Sequence, residues 1–282
     1  MSRYLYEYHR PKGYKAASEL LLRRDTKTSP LYIPPYQIPV HDRDVEAFVD
    51  LSCLELQYIK VNSDKNFSIG SLTTLQQLTE SDVLSSHADG ILPQASRFAA
   101  NHGIRNIADI GGILSTRQGP PEILLALLVL DAVVVLDDGS SVNITSPDIL
   151  PPTGNFITEI RIDNKPLTTS LQRIGRTNMD EAIVAVAVAL ETENGYISGA
   201  RLALAGVTPR PKRMSISEKL LSQQPYDDVS HRALMAELDP KTDYRGSSEY
   251  RLEMAGVLTR RAITLAVKDY KYNARQVSGT TN

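Results

Sequence analysis

Apolar positions along the chain come in short blocks, and their spacing changes from place to place. Val45 to Leu51 and Leu56 to Val61 read as β-strands separated by a turn, and upstream of them Ala16 to Arg24 reads as a short helix. Phe67-Ser68-Ile69 closes a strand, and Thr73 or Thr74, each with Gln three residues on, can cap the helix that carries Leu75 and Leu78. Ile91 to Asn101 predicts a helix closing near Gly103, followed by a loop over residues 105–121. A helix from Glu122 leads to a strand, Ala132 to Leu136, ended by the turn Asp137-Asp138-Gly139. Phe156 to Ile162 alternates like a half-buried strand, and residues 163–170 read as a linker. Ile183 to Glu191 and Ile197 to Ala205 predict a hairpin around Glu193-Asn194-Gly195. Ser215 to Leu221 and Ser230 to Leu238 are helix candidates, and Tyr250, Met254, Val257, Leu258 and Leu265 mark one face of a terminal helix. The polar end, SGTTN, reads as a disordered tail.

Composition narrows the classes. Hydrophobic residues make up 41% and charged residues 23% of the 282, enough for a real core and against wholesale disorder. Thirty-one Lys and Arg against 33 Asp and Glu leave a net charge of -2, which argues against a nucleic-acid partner. The single cysteine, Cys53, excludes an internal disulfide and an iron–sulfur cluster ligated by this chain alone. The histidines (9, 41, 87, 102 and 231) include no pair at helical ligand spacing, so no metal site is expected. Neither a nucleophile elbow nor a nucleoside-triphosphate loop is present, and no catalytic residue is assigned. The apolar run Ile123 to Leu136 contains Asp131 and is too short to span a bilayer, and the first residues lack the apolar core of a signal peptide. A cytoplasmic protein without a membrane span is expected.

Two features bear on chemistry. Gly111-Gly112, within the 105–121 loop, lets backbone approach an anion and donate N–H groups to it, although such pairs commonly just make turns. In contrast, no glycine occurs between Gly13 and Gly70, and residues 29–42 hold four prolines, at 30, 34, 35 and 39. Proline has a fixed φ and no N–H, so this stretch should be extended or irregular.

The segment IRNIADIGGILS (104–115), followed by PEILLALLVLDAVVVL (121–136), resembles the flavin-binding subunit of the molybdenum hydroxylases, the xanthine dehydrogenase and aerobic carbon monoxide dehydrogenase family. The glycines, Leu114 and the L-D-A at 130–132 keep the family spacing. YEYHRPKGYKAASELL (6–21), FSIGSLTTLQQL (67–78), ITEIRI (157–162), SLQRIGRTNMDEAIVAVAVAL (170–190), ARLALAGVTPRPKR (200–213) and YRGSSEYRLEMAGVLTRRAI (244–263) resemble successive parts of the same family, in the same order.

The resemblance implies an α+β fold: a two-part flavin-binding (PCMH-type) fold with a C-terminal sheet-plus-helices domain. The parts expected are 1–55, 56–165 with the Gly-Gly loop, 166–275, and a disordered tail, 276–282. It implies FAD as cofactor, with Ala108, Asp109, Ile110, Gly111, Gly112, Thr116 and Glu122 as candidate cofactor-binding residues. It also implies a hetero-oligomer with a [2Fe-2S] small subunit and a molybdopterin large subunit, FAD relaying electrons from the iron–sulfur centres to an acceptor.

The chain departs from the family at two places. The family's first phosphate loop, similar to A-G-G-T-x-L, falls within Asp25 to His41 here, which is glycine-free and proline-rich. In the second loop Asp109 stands where the family has Thr or Ser, and Ile113 replaces an asparagine; Glu122 keeps a carboxylate at the family's Asp, and Arg117 could reach a phosphate. The alternative that follows is a flavin-free scaffold subunit of the same type of complex.

Overall fold

The alternating and apolar blocks resolve into three separate sheets in the computed structural model, which describes residues 7–35, 45–116, 119–146, 154–177, 180–193, 196–222 and 228–278. The first sheet holds β1 (Glu7–His9), β2 (Thr28–Leu31) and β3 (Ala47–Asp50), with β3 in the middle and parallel to both neighbours. The second is antiparallel and holds β4 (Ile59–Val61), β5 (Phe67–Gly70), β6 (Val133–Leu136), β7 (Ser141–Asn143) and β8 (Ile157–Ile162), in the order β4-β5-β8-β6-β7. The third, also antiparallel, runs β12-β11-β10-β9, from β9 (Thr168–Ile174), β10 (Val184–Glu193), β11 (Tyr196–Ala205) and β12 (Lys212–Arg213). The fold is α+β.

The helices, in chain order, are α1 (Tyr14–Leu21), α2 (Leu75–Glu80), α3 (Asp82–Ser85), α4 (Ile91–Arg97), α5 (His102–Arg105), α6 (Ile110–Thr116), α7 (Pro121–Val129), α8 (Ser215–Leu221), α9 (Asp228–Ala236) and α10 (Ser248–Ser278). Among the described residues no helix is long and apolar enough to cross a membrane.

Two compact units result. One comprises residues 1–79, 99–119 and 131–164, with the first two sheets; the other comprises 80–98, 120–130 and 165–282, with the third sheet. In the first unit, Ile69, Val134, Ile160 and Phe156 are fully buried beside Leu75 and Ile110. In the second unit, Val184, Val186, Val188 and Leu190 of β10 join Leu202 and Leu204 of β11 in one cluster with Leu258, Ala262 and Ala266 of α10. Each such large side chain contributes about 1.5–3 kcal/mol by leaving water. Ala185, Ala187 and Ala189, the alternate positions of β10, are buried as well, and α7 packs on β10 and β11. That is why β10 reads as a nearly continuous apolar run rather than an alternation.

Several local expectations are corrected. The helix from Ile91 ends at Arg97, and Asn101, expected at its end, instead caps the next helix: its side chain accepts from the Ile104 N–H at 3.0 Å. The 105–121 loop contains α6, which opens at Ile110 with the two glycines in its first turn. The 163–170 linker already contains the start of β9, whose first three buried positions, Thr168, Thr169 and Ser170, are polar and are followed by buried Leu171. Thr169 Oγ1 donates to the Ala88 carbonyl at 2.6 Å, which is how a hydroxyl-rich strand can be buried. The turn expected between Leu51 and Leu56 is a 3-10 turn, Ser52–Leu54, and Cys53 within it is half-buried. On α10, Val257 and Leu265 face solvent, while Arg251, Ala255 and Thr259 take the inner face with Leu258 and Ala262. The helix also runs through Ser278, three residues into the expected tail, since an established helix extends at little cost. The hairpin turn at 194–195 and the proline at 39 lie outside the described residues.

Candidate functional site

The Gly-Gly turn is assembled in the first unit from three strips of chain. The first is 71–75, between β5 and α2. Thr74 and Gln77 form the expected capping box: the Thr74 N–H donates to Gln77 Oε1 at 3.0 Å, and the Gln77 N–H donates to Thr74 Oγ1 at 3.2 Å. The second strip is 108–112. The Leu75 N–H donates to the Ala108 carbonyl at 2.9 Å, and Thr74 bridges Asp109 in antiparallel fashion. The third is the proline-rich segment after β2, residues 32–35.

This last strip lies across the glycines. Tyr32 is buried, and its hydroxyl donates to the Ile157 carbonyl at 2.7 Å. Ile33 forms a double link to Asp109: the Ile33 N–H donates to Asp109 Oδ2 at 2.8 Å, and the Asp109 N–H donates to the Ile33 carbonyl at 2.8 Å. Pro34 and Pro35 are buried. Having no N–H, they can be covered without orphaning a donor, which suits a proline-rich strip for this position.

Every backbone amide from 109 to 112 therefore has an internal partner. The Ile110 N–H donates to the Thr73 carbonyl at 3.1 Å and the Gly111 N–H to the Ser71 carbonyl at 2.8 Å. The Gly112 N–H donates to Asp109 Oδ1 at 2.6 Å. Asp109 is 4% exposed, and burial pushes the pKa of its carboxyl up to about 7 despite the two amides that donate to it. Burial first, and the same carboxyl second, hold the Tyr32 hydroxyl well above its ordinary range.

The glycines are required by this packing. A Cβ on Gly111 would lie 2.7 Å from the Tyr32 ring and 2.8 Å from the Ser71 carbonyl oxygen. On Gly112 it would lie 2.5 Å from the Ile33 carbonyl carbon and 2.6 Å from the Pro34 nitrogen. Both glycines thus admit the chain's own backbone.

The remaining candidates are dispersed. Ala108 is fully buried and serves through its carbonyl, and the Ile110 side chain is in the core. Thr116 ends α6, and Arg117 lies outside the described residues. Glu122 belongs to the second unit, where it is 1% exposed and ion-paired to Arg173, Nε to Oε1 2.7 Å. Burial raises its pKa and the Arg173 charge opposes that rise. The Arg173 guanidinium also stacks on Phe98, 4.9 Å from the ring centroid. Sequence reasoning missed Tyr32, Ile33, Ser71 and Arg173 as the partners of these residues; the glycine-free, proline-rich composition of 29–42 was the one available signal. Among the described residues no cluster of His, Cys, Asp and Glu could hold a metal ion.

Residues 5–148 match the family described as FAD binding domain in molybdopterin dehydrogenase, and residues 170–266 match the CO dehydrogenase flavoprotein C-terminal domain. The glyceraldehyde dehydrogenase medium chain of Sulfolobus acidocaldarius is 27% identical over 276 residues, covering 91% of this chain and 96% of that one. The carbon monoxide dehydrogenase medium chain of Afipia carboxidovorans is 28% identical over 280 residues, covering 93% and 96%. Among solved structures, reconstituted CO dehydrogenase from Oligotropha carboxidovorans superposes with a TM-score of 0.82 at 28% identity, over 95% of this chain and 99% of that one.

FAD is the cofactor for which the first domain is named, and a diphosphate needs amide donors or cations. At the Gly111-Gly112 turn the amides are taken and a carboxyl stands among them, so the described residues there do not fit it. Fold and domain order are nonetheless those of the relatives, and the chain belongs to the family of FAD-binding medium subunits of the molybdenum hydroxylases.

Proposed function

We propose that this chain is the medium, flavoprotein-type subunit of a cytoplasmic molybdenum hydroxylase complex, docked to a small subunit carrying [2Fe-2S] centres and a large molybdopterin subunit. The observation that carries this is the likeness to a CO dehydrogenase chain over 99% of that chain's length, so that both matched domains stand in the order found there. A chain with a single cysteine cannot ligate an iron–sulfur cluster by itself, so its redox partners must be other subunits. A division into parts 1–55, 56–165 and 166–275 is supported by the strands, since those of each sheet fall within one part, although residues 80–98 and 120–130 of the second part belong to the unit of the third sheet.

Two roles within such a complex compete. Electron relay through FAD to an acceptor is supported by the family match. A flavin-free subunit that holds its partners together is supported by the turn geometry, and we adopt it. The test is affinity purification of the tagged full-length chain from its native cell. Stoichiometric co-elution of iron and molybdenum with two further polypeptides is expected; a clean monomer carrying neither metal refutes the assignment.

A further inference from the structure

We infer that the Asp109 carboxyl and the segment Tyr32–Pro34 are a built-in occupant of the anion position at the Gly111-Gly112 turn, so that the chain serves its complex without FAD held there. The inference rests on the medium-subunit reading for the identity of the complex, and on the first unit alone for its geometry.

A carboxylate resembles one face of a phosphate: two oxygens, each able to accept a backbone N–H. Asp109 uses both in this way. Oδ1 accepts from Gly112 at 2.6 Å, and Oδ2 accepts from Ile33 at 2.8 Å, a residue 76 positions away in the sequence. The return bond from the Asp109 N–H to the Ile33 carbonyl, 2.8 Å, completes a latch that joins the proline-rich strip to the start of α6. The occupant thus brings its own attachment, which a free ligand would have to replace.

Space is closed as well. The space against the bare glycines, where a side chain would stand, is filled by the Tyr32 ring and by the Ile33–Pro34 backbone, at 2.5–2.7 Å from where even a methyl group would sit. A phosphate group is larger than a methyl. The buried Ser71 hydroxyl lies by Tyr32, but one neutral hydroxyl does not stand in for several amides.

To seat a diphosphate, the turn must release Asp109 from Gly112 and Ile33 and move the strip. If the carboxylate stays, it opposes a like charge at close range. Each charge-assisted amide bond that FAD then fails to make lowers its affinity by roughly ten- to a hundredfold.

Two measurements on the full-length chain test this. The first is FAD released by denaturing the complex purified from flavin-replete cells, counted against chain content. Fewer than half the chains carrying FAD is expected; half or more overturns the inference. The second is hydrogen exchange of the peptide spanning 109–116, with and without excess FAD. Unchanged exchange is expected, and protection by FAD overturns the inference. In Asp109→Ala the Gly112 amide should exchange faster, with Asp109→Asn as the milder variant should the first not fold; an amide indifferent to both removes the latch. Absence of iron- and molybdenum-bearing partners would instead defeat the subunit reading, and the exchange measurements, which need only this chain, would still decide the latch.

Discussion

Replacing Asp109 by Asn removes one ionisation from the interior while keeping the size of the side chain. The carboxyl titrates near 7 in the fold, against an ordinary 3.8, and burial is the cause. Its folded pKa lies above its unfolded one, so the protein binds this proton more tightly than the unfolded chain does. The stability linked to it is fully present below about pH 4 and is lost as pH rises through 7. A tenfold difference in proton affinity corresponds to about 1.4 kcal/mol, and between pH 8 and pH 5 the linkage amounts to roughly 2–3 kcal/mol. The amide of Asp109→Asn cannot follow that change. It also offers one acceptor where two amides, those of Ile33 and Gly112, need one each, which adds a pH-independent cost of about 1–3 kcal/mol. The backbone-to-backbone hydrogen bonds of the turn and Tyr32, the titrating side chain packed against Asp109, are common to both proteins. Urea unfolding of both, at matched salt and at pH 5, 6, 7 and 8, measures the gap. The chain has no tryptophan, so far-ultraviolet circular dichroism is the signal. The gap should widen on acidification. A gap that is flat with pH, or that narrows toward pH 5, refutes a buried Asp109 whose pKa is raised by the fold.

Other outcomes follow from the same geometry. Gly112→Ala forces a methyl onto the Ile33–Pro34 backbone and should cost about 1–3 kcal/mol or more in calorimetry; an unchanged melting temperature would mean the strip does not rest on the turn. Glu122→Ala strands the buried Arg173 charge and should destabilise by about 3–5 kcal/mol, whereas the double change Glu122→Leu with Arg173→Met should recover most of it. Equal loss in the single and double variants would rule out charge burial as the cause. Thr74→Ala removes one half of the capping box and should cost about 1 kcal/mol, read by denaturant midpoint. Asp109→Thr combined with a glycine-rich loop over 29–39 should raise FAD affinity above either change alone in a fluorescence titration; no gain sinks the idea that these two places exclude the flavin.

What could be read from the chain, and what could not, divides along physical lines. The capping box at Thr74 and Gln77 is local, so spacing alone revealed it. The β10–β11 hairpin announced itself because two long apolar runs flank a turn signal. The order of family-like segments conveyed the fold class. By contrast β9 was hidden, since its first three buried positions, before Leu171, are threonines and serine whose burial depends on partners such as the Ala88 carbonyl. The turn was half legible: Asp109 and the proline-rich strip each stood out, but their union spans 76 residues and is made by one side chain with two backbone groups. Glu122 stood out for its carboxylate, while its partner Arg173 lies far along the chain, a pairing that no periodicity reports.

Helix α7 precedes residue 165 in sequence yet lies within the second unit, where it packs on β10 and β11. Arg201 and Arg213 reach across to its C-terminal carbonyls, Val129 at 2.9 Å and Leu128 at 3.1 Å. A gene fragment beginning at the linker would therefore encode a sheet stripped of one cover, its two arginines deprived of these carbonyls. Recombination between relatives that joined the front of one chain to the back of another would have to match α7 to a foreign sheet. The two matched domains are separate in the sequence, but a helix of the first match is a structural part of the unit that holds the second.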